Sequence, residues 1–109
     1  MKAFATLALL GVLATTVFAN LSKSDVVGTW ILNGKDASTK WVFNKDDTFV
    51  FKSAMSNSKG KWETNGTHVK LVWTHVDGQP VKPGSVKGQY KFNDDGSLQV
   101  DTFVYKKKS

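Results

Sequence analysis

Apolar and polar residues alternate with a period of two along most of the chain after residue 26. This alternation is typical of β-strands that bury one face. In the segment 59–64, for example, Gly60 and Trp62 share one face and lysines share the other. No later segment shows helical periodicity, although Ser22 or Ser24 can cap a single helical turn ahead of the first strand. The pattern predicts an all-β domain.

Turn signals divide the pattern into seven short strands at nearly regular spacing. The predicted strands are 26–32, 39–44, 48–52, 59–64, 67–76, 85–93 and 97–105. Asn65-Gly66 predicts a type I′ hairpin, which needs positive φ at both central positions. The phase of the last strand is ambiguous at Phe103 and Tyr105, which indicates a bulge. Hairpin-linked strands of this kind predict a small antiparallel up-and-down β-barrel or half-barrel of seven to eight strands.

A glycine precedes a large aromatic residue by two positions at three places in the chain. The pairs are Gly28/Trp30, Gly60/Trp62 and Gly88/Tyr90. Because residues i and i+2 of a strand share a face, each pair places a gap beside a ring. Glycine inside a strand usually marks a bend, a bulge or a close backbone approach, as barrel corners require.

Residues 1–19 have the pattern of a secretory signal peptide. Lys2 provides the positive start, residues 3–17 are almost wholly apolar or small, and cleavage is predicted after Ala19. The apolar run is too short to be read as a membrane span, so we expect no transmembrane segment in the mature chain. The prediction is therefore a secreted or periplasmic protein with one β domain over 20–109. There is no cysteine to provide a disulfide framework, so aromatic burial must supply much of the stability.

The chain is basic, and its basic residues are of a single type. The formal net charge is +6, and all fifteen basic residues are lysine. Arginine is the usual residue for forked contacts to phosphate and guanine edges, so specific nucleic-acid binding is not expected. Weak contact with an anionic surface remains open. Lysines 59, 61, 70, 87 and 91 fall opposite the aromatic residues and predict a solvated outer wall.

The first strand resembles that of the lipocalin and fatty-acid-binding superfamily. The similarity is carried by Val27-Gly28-Thr29-Trp30-Ile31-Leu32, and the segments 41–49 and 90–96 resemble small bacterial lipocalin-like domains. The resemblance implies a calycin-type barrel in which Gly28 and Trp30 are the structural anchor at the closed end. In lipocalins an arginine near the end of the barrel packs on this tryptophan. This chain has none, so Lys106 or a neighbour is the candidate to stack on Trp30.

Inward-facing rings form the candidate ligand-binding lining of the barrel. The candidates are Trp41, Phe43, Phe51, Trp62, Trp73 and Tyr90. The competing interpretation is that these rings fill the barrel and leave no room for a ligand. An eight-stranded barrel is only just wide enough for a small ligand, so seven strands with this many rings favour the packed core.

Other candidate sites have simpler explanations. His68 and His75 are seven residues apart on one predicted strand, which places them on opposite faces and far apart, so we expect surface histidines and no metal site. Asp46-Asp47 and Asp94-Asp95 follow asparagine in hairpin turns, where such side chains bond their own backbone. No nucleophile motif, phosphate-binding loop or dinucleotide fingerprint is present, so neither an enzyme nor a cofactor is expected.

Two functions follow from these expectations. The first is a secreted lipocalin-like binding module that holds a small hydrophobic ligand within or at the mouth of the barrel. The second is a non-enzymatic structural or interaction protein, with a packed core and a lysine-rich surface that contacts envelope polymers or proteins. The second predicts binding that weakens steeply with salt.

Overall fold

A computed structural model describes residues 20–108, with Asp36 described by its backbone alone. The predicted signal peptide, residues 1–19, lies outside the described residues. Within 20–108 the one helix is α1, Lys23–Val26, whose four residues are too few to cross a membrane.

Helix α1 forms the single turn that the sequence predicts. Ser22 is its N-cap residue, and the Asp25 carboxylate accepts hydrogen bonds from the Ser22 backbone N–H at 2.8 Å and from the Ser22 hydroxyl at 3.0 Å. The helix includes Val26, which was expected to begin the first strand. The strand begins instead at Gly28, whose φ of +141° redirects the chain.

Nine strands follow the helix. They are β1 Gly28–Leu32, β2 Asp36–Phe43, β3 Thr48–Lys52, β4 Asn57–Asn65, β5 His68–Val76, β6 Gln79–Pro80, β7 Lys87–Phe92, β8 Leu98–Val100 and β9 Phe103–Lys107. Eight of them pair in the order β4-β3-β2-β1-β9-β8-β7-β5, and β4 also pairs with β5, so the sheet closes on itself. The remaining strand, β6, adds to the end of β5. The prediction of an all-β antiparallel barrel is confirmed, and the closure excludes the half-barrel.

The predicted seventh strand is in fact a hairpin of two strands. Asp101 has a φ of +55° and turns the chain between β8 and β9. β9 can then pair with β1 on its other side, with Tyr105 opposite Leu32. The ambiguous phase at Phe103 and Tyr105 came from this turn. The interpretation as a bulge was therefore wrong. The turn is hard to recognise in the sequence, because Asp101-Thr102 lacks the glycine that marks the stronger hairpin turns.

The type I′ prediction at Asn65-Gly66 was also wrong in detail. A hairpin does connect β4 with β5, but Asn65 still belongs to β4, and of the two residues only Gly66 has a positive φ, at +65°. Asp77-Gly78 has positive φ at both positions, +52° and +81°, and joins β5 to β6 by a two-residue turn. That turn lies in the connection where the sequence predicted no strand.

Strands β4 and β5 approach very closely at Gly60. A Cβ built on Gly60 would lie 2.1 Å from the backbone oxygen of Val72 and 2.7 Å from Cα of Trp73. At this point the register shifts, so that Gly60 opposes Trp73 while Lys59 opposes His75. Gly60 is thus the close-approach glycine that the sequence pattern predicts, and the bulge beside it bends the wall.

The core fills the barrel with the inward faces of the strands. Its fully buried large side chains include Phe43, Phe49, Leu71, Leu98, Val26 and Val69. The lysines at positions 59, 61, 70, 87 and 91 are all exposed, as predicted. The period-two pattern therefore assigns inside and outside correctly over most of the barrel.

Candidate functional site: the open end of the barrel

The two ends of the barrel are covered differently. At one end α1 lies across the opening, and the Trp30 indole N–H donates to the Val26 carbonyl at 2.9 Å. The ring of Trp30 packs edge-on against Phe92, with centroids 5.2 Å apart. We call this the closed end. The connections β1–β2, β3–β4, β5–β7 and β8–β9 surround the other end, which we call the open end.

The predicted structural anchor lies at the closed end. Trp30 is buried, and the Lys107 ammonium group lies 5.8 Å from the centroid of its ring. The sequence expected Lys106 or a neighbour to stack there, and the register selects Lys107, which pairs with Trp30 between β9 and β1. Gly28 gives the Lys107 side chain room to cross the strand.

The six candidate lining residues divide between the ends. Phe43 and Trp62 are buried towards the closed end, where the Trp62 indole N–H donates to the Asn44 carbonyl of the β2–β3 turn at 3.1 Å. Phe51, Trp73 and Tyr90 are half-buried towards the open end. Trp41 lies between the two groups and is only 4% exposed.

Trp41 connects the rings of the interior. Its ring centroid lies 4.6 Å from that of Phe51, 5.7 Å from Tyr90 and 6.3 Å from Trp73. It also stacks nearly parallel to Phe43, at 6.1 Å. These tilted, edge-on and stacked contacts are the arrangements that aromatic rings favour. They pack the centre and the closed end, so a ligand would be held at the open end, above Trp41.

Exposed apolar side chains surround the open end. Val86 lies two residues before Gly88 and Phe103 lies two residues before Tyr105, so each continues the inward face of its strand. Met55 lies on the β3–β4 connection. They are 36%, 53% and 91% exposed respectively. The period-two pattern could not identify Val86 and Phe103 as rim residues, because it shows which face of a strand a residue occupies but not where the barrel wall stops covering it.

The open end also contains the two tyrosines. Burial raises the pKa of Tyr105, and the interaction of its hydroxyl with the Trp41 indole N–H offsets part of this rise. Burial likewise raises the pKa of Tyr90. The negative charge of Asp101 and the neighbouring Tyr105 raise it further, by smaller amounts. Both hydroxyls therefore keep their protons at neutral pH and can donate hydrogen bonds.

Two depressions lie on the outer wall, away from the rings. One has a volume of about 280 Å³ and includes Val50, Lys59 and His75, and a neighbouring one of about 430 Å³ includes the same three residues. His75 was expected to face away from His68. The bulge beside Gly60 changes the phase of β5, so both histidines lie on the outer wall, at opposite ends of the strand.

The acidic pairs form turns, as the sequence analysis predicted. Asp46 accepts hydrogen bonds from the backbone and hydroxyl of Thr48, and Asp95 does the same for Ser97, at 2.9 and 2.6 Å. These bonds lower the pKa of both aspartates. Nowhere in the described part of the chain do three His, Cys, Asp or Glu side chains come together as metal ligands would.

Comparison of the chain with protein-family models, with curated proteins and with solved structures finds no match. The closed eight-stranded antiparallel barrel is compatible with the lipocalin-like fold that the sequence resembles.

Proposed function

We propose that the protein is an exported, lipocalin-like binding module without catalytic activity, and that it holds a small apolar ligand at the open end of the barrel. The observation that carries the proposal is the contrast between the two ends. Helix α1 and Lys107 cover the closed end, whereas half-buried rings and exposed apolar side chains lie around the open end. Clustered apolar surface on a small protein commonly marks a binding site.

The interior supports this location and not a deep cavity. The rings of Phe43, Phe49 and Trp62 pack against one another, with Phe43 and Trp62 edge-on at 5.6 Å. Phe51, Trp73 and Tyr90 pack against the core but are only partly buried, so part of each ring remains accessible to a ligand. A flat or compact apolar molecule fits this surface better than a long chain.

Fluorescence titration of the mature protein with phenylnaphthylamine, a neutral apolar dye, tests the proposal. We expect saturable binding of one dye per chain, with quenching of the tryptophan emission. Val86→Glu should weaken binding because it adds a charge to the rim, whereas Val72→Glu should not. Val72 is a matched control, since it is 38% exposed but lies on the outer wall. Equal effects of the two variants, or no saturable binding, would contradict the proposal.

A second candidate function rests on the outer wall. Lysines at positions 40, 52, 59, 61, 70, 87 and 91 face outward from β2, β3, β4, β5 and β7. Glu63 is the one carboxylate among the described side chains of these strands, and its ion pair with Lys70 is long, at 3.7 Å. Lys40 and Lys52 are direct cross-strand partners, a like-charge pairing that costs stability.

This wall suits contact with an anionic envelope polymer or an acidic protein. Retention on immobilised dextran sulfate should fall steeply between low and moderate salt, because exposed charges are screened. Lys59→Gln with Lys61→Gln should reduce retention more than Lys23→Gln, since Lys23 already pairs with Asp47 at 2.6 Å. Retention that does not depend on salt would exclude this function.

A further inference from the structure

The indole N–H of Trp41 is buried without a hydrogen-bond partner among residues 20–108. The indoles of Trp30 and Trp62 do have partners, the carbonyls of Val26 and Asn44. A buried donor left unpaired costs free energy, and such groups in native proteins usually have a specific explanation. The unpaired donor belongs to the residue that lies directly beneath the open end.

Two further donors lie beside Trp41. Its ring centroid is 5.7 Å from Tyr90 and 6.3 Å from Tyr105. The Trp41 indole N–H interacts with the Tyr105 hydroxyl and lowers the pKa of that group, but the contact falls outside the distance and angles of a full hydrogen bond, so the N–H is left without a satisfactory partner. Gly88 has no side chain to fill the space beside these groups. A Cβ built on it would lie 3.5 Å from the Tyr90 hydroxyl oxygen and 3.4 Å from the Trp73 ring. One indole N–H and two phenol hydroxyls are therefore gathered beneath the apolar rim.

Among residues 20–108, no buried charge at this end would pair with an anionic ligand, because the lysines of the surrounding connections, Lys35 and Lys82, are exposed. The buried polar or charged residues in the described part of the chain are Ser58 and Ser97, so no buried cation is available to pair with a carboxylate. The charge of Asp101 acts on the Tyr90 hydroxyl and would repel a second negative charge. A neutral oxygen acceptor meets neither obstacle, and it can accept the indole N–H of Trp41, which the protein leaves unpaired.

We propose that the ligand of the open end is a neutral, mainly apolar molecule with a hydrogen-bond acceptor, such as a ketone or ester oxygen. The acceptor receives the Trp41 indole N–H together with the hydroxyl of Tyr105 or Tyr90, and the apolar part of the ligand lies against Phe51 and Trp73. This inference rests on the proposed function and specifies the chemistry of its ligand.

Three probes of similar size test it: methyl naphthyl ketone, ethylnaphthalene and naphthoate, all substituted at the same ring position. The ketone should bind about fivefold more tightly than the hydrocarbon, as one net hydrogen bond gives. Naphthoate should bind more weakly than the ketone. In NMR spectra of the labelled indole groups, the ketone should move the Trp41 N–H resonance, and ethylnaphthalene should move it much less. The Trp30 and Trp62 resonances should change little with either.

Variants separate the donor from the ring. Trp41→Phe should remove the preference for the ketone over the hydrocarbon, and Trp62→Phe should keep it. If Trp41→Phe does not fold, the indole resonances of the unmodified protein decide the question. Equal affinity for ketone and hydrocarbon, or tightest binding of naphthoate, would overturn the inference and leave the proposed function standing. If none of the three probes binds, the proposed function fails as well.

Discussion

The ammonium group of Lys107 lies 5.8 Å from the centroid of the Trp30 ring and also donates to the carbonyl oxygens of Ser24 and Asp25, at 3.3 and 3.4 Å. One side chain thus joins β9 to the tryptophan of β1 and to the end of α1. It occupies the place where the lipocalin resemblance leads one to expect an arginine. Gly28 makes this possible, because a Cβ there would lie 2.7 Å from Cε of Lys107.

Removing the Lys107 side chain should destabilise the closed end. For Lys107→Ala we expect a loss of about 1 kcal/mol in the free energy of unfolding, from the cation–π contact and the two hydrogen bonds. Lys107→Met keeps the apolar stem over Gly28 and should lose less. Urea unfolding followed by tryptophan emission measures both. Lys108→Ala is the control, because Lys108 contributes a backbone hydrogen bond to Thr29 that alanine retains. Equal losses for Lys107→Ala and Lys108→Ala would contradict this role.

Alanine should have very different effects at two of the glycines that precede an aromatic residue. At Gly60 the new methyl would overlap the β5 backbone, which cannot move without opening the barrel, so Gly60→Ala should cost more than about 2 kcal/mol. A Cβ built on Gly88 would lie 3.4 Å or more from its nearest neighbours, which is ordinary van der Waals contact. Gly88→Ala should therefore change the free energy of unfolding by less than about 1 kcal/mol. Thermal unfolding of the pair provides the comparison, and a reversed order would show that the close approach is not at Gly60.

The two tyrosines should ionise at higher pH in the folded protein than in the unfolded chain. The chain has no other tyrosine, so tyrosinate absorbance reports these two alone. Burial raises the pKa of both hydroxyls, which favours the neutral form in the folded state. Their contribution to stability is therefore complete below about pH 10 and is lost as the pH rises through the folded pKa. If the tyrosines of the native protein ionise at the same pH as those of the protein unfolded in urea, the burial of their hydroxyls is contradicted.

The turn aspartates should make the protein sensitive to acid. Hydrogen bonds from Thr48 and Ser97 lower the pKa of Asp46 and Asp95, so their contribution is present above about pH 4 and is lost as the pH falls through the lower folded pKa. Asp46→Asn and Asp95→Asn should each reduce the fall in thermal midpoint between neutral pH and pH 3. Asp94→Asn, whose side chain lies outside these hydrogen bonds, is the control. If the fall in thermal midpoint stays the same in both variants, these two aspartates are not the source of the acid sensitivity.

Much of the lining of the open end could be found from the sequence. The alternation of polar and apolar residues placed Phe51, Trp73 and Tyr90 inside, because a strand has a fixed period of two. The same pattern could not find Val86 or Phe103 as rim residues, since it does not show where a strand rises above its neighbours. Nor could it show that the Trp41 N–H lacks a partner, because that depends on ring orientations set by several strands at once.

The sequence by itself determined the strand period, the inward rings, the single helical turn and the aspartate turns, because each depends on residues close together in the chain. Tertiary structure decided what depends on distant residues. The Asp101 turn matters because it brings β9 beside β1, and that pairing selects Lys107 for Trp30. The bulge at Gly60 changes the face of His75 because β4 and β5 must bend together. Closure of the barrel fixes register between strands far apart in sequence, and no local pattern encodes it.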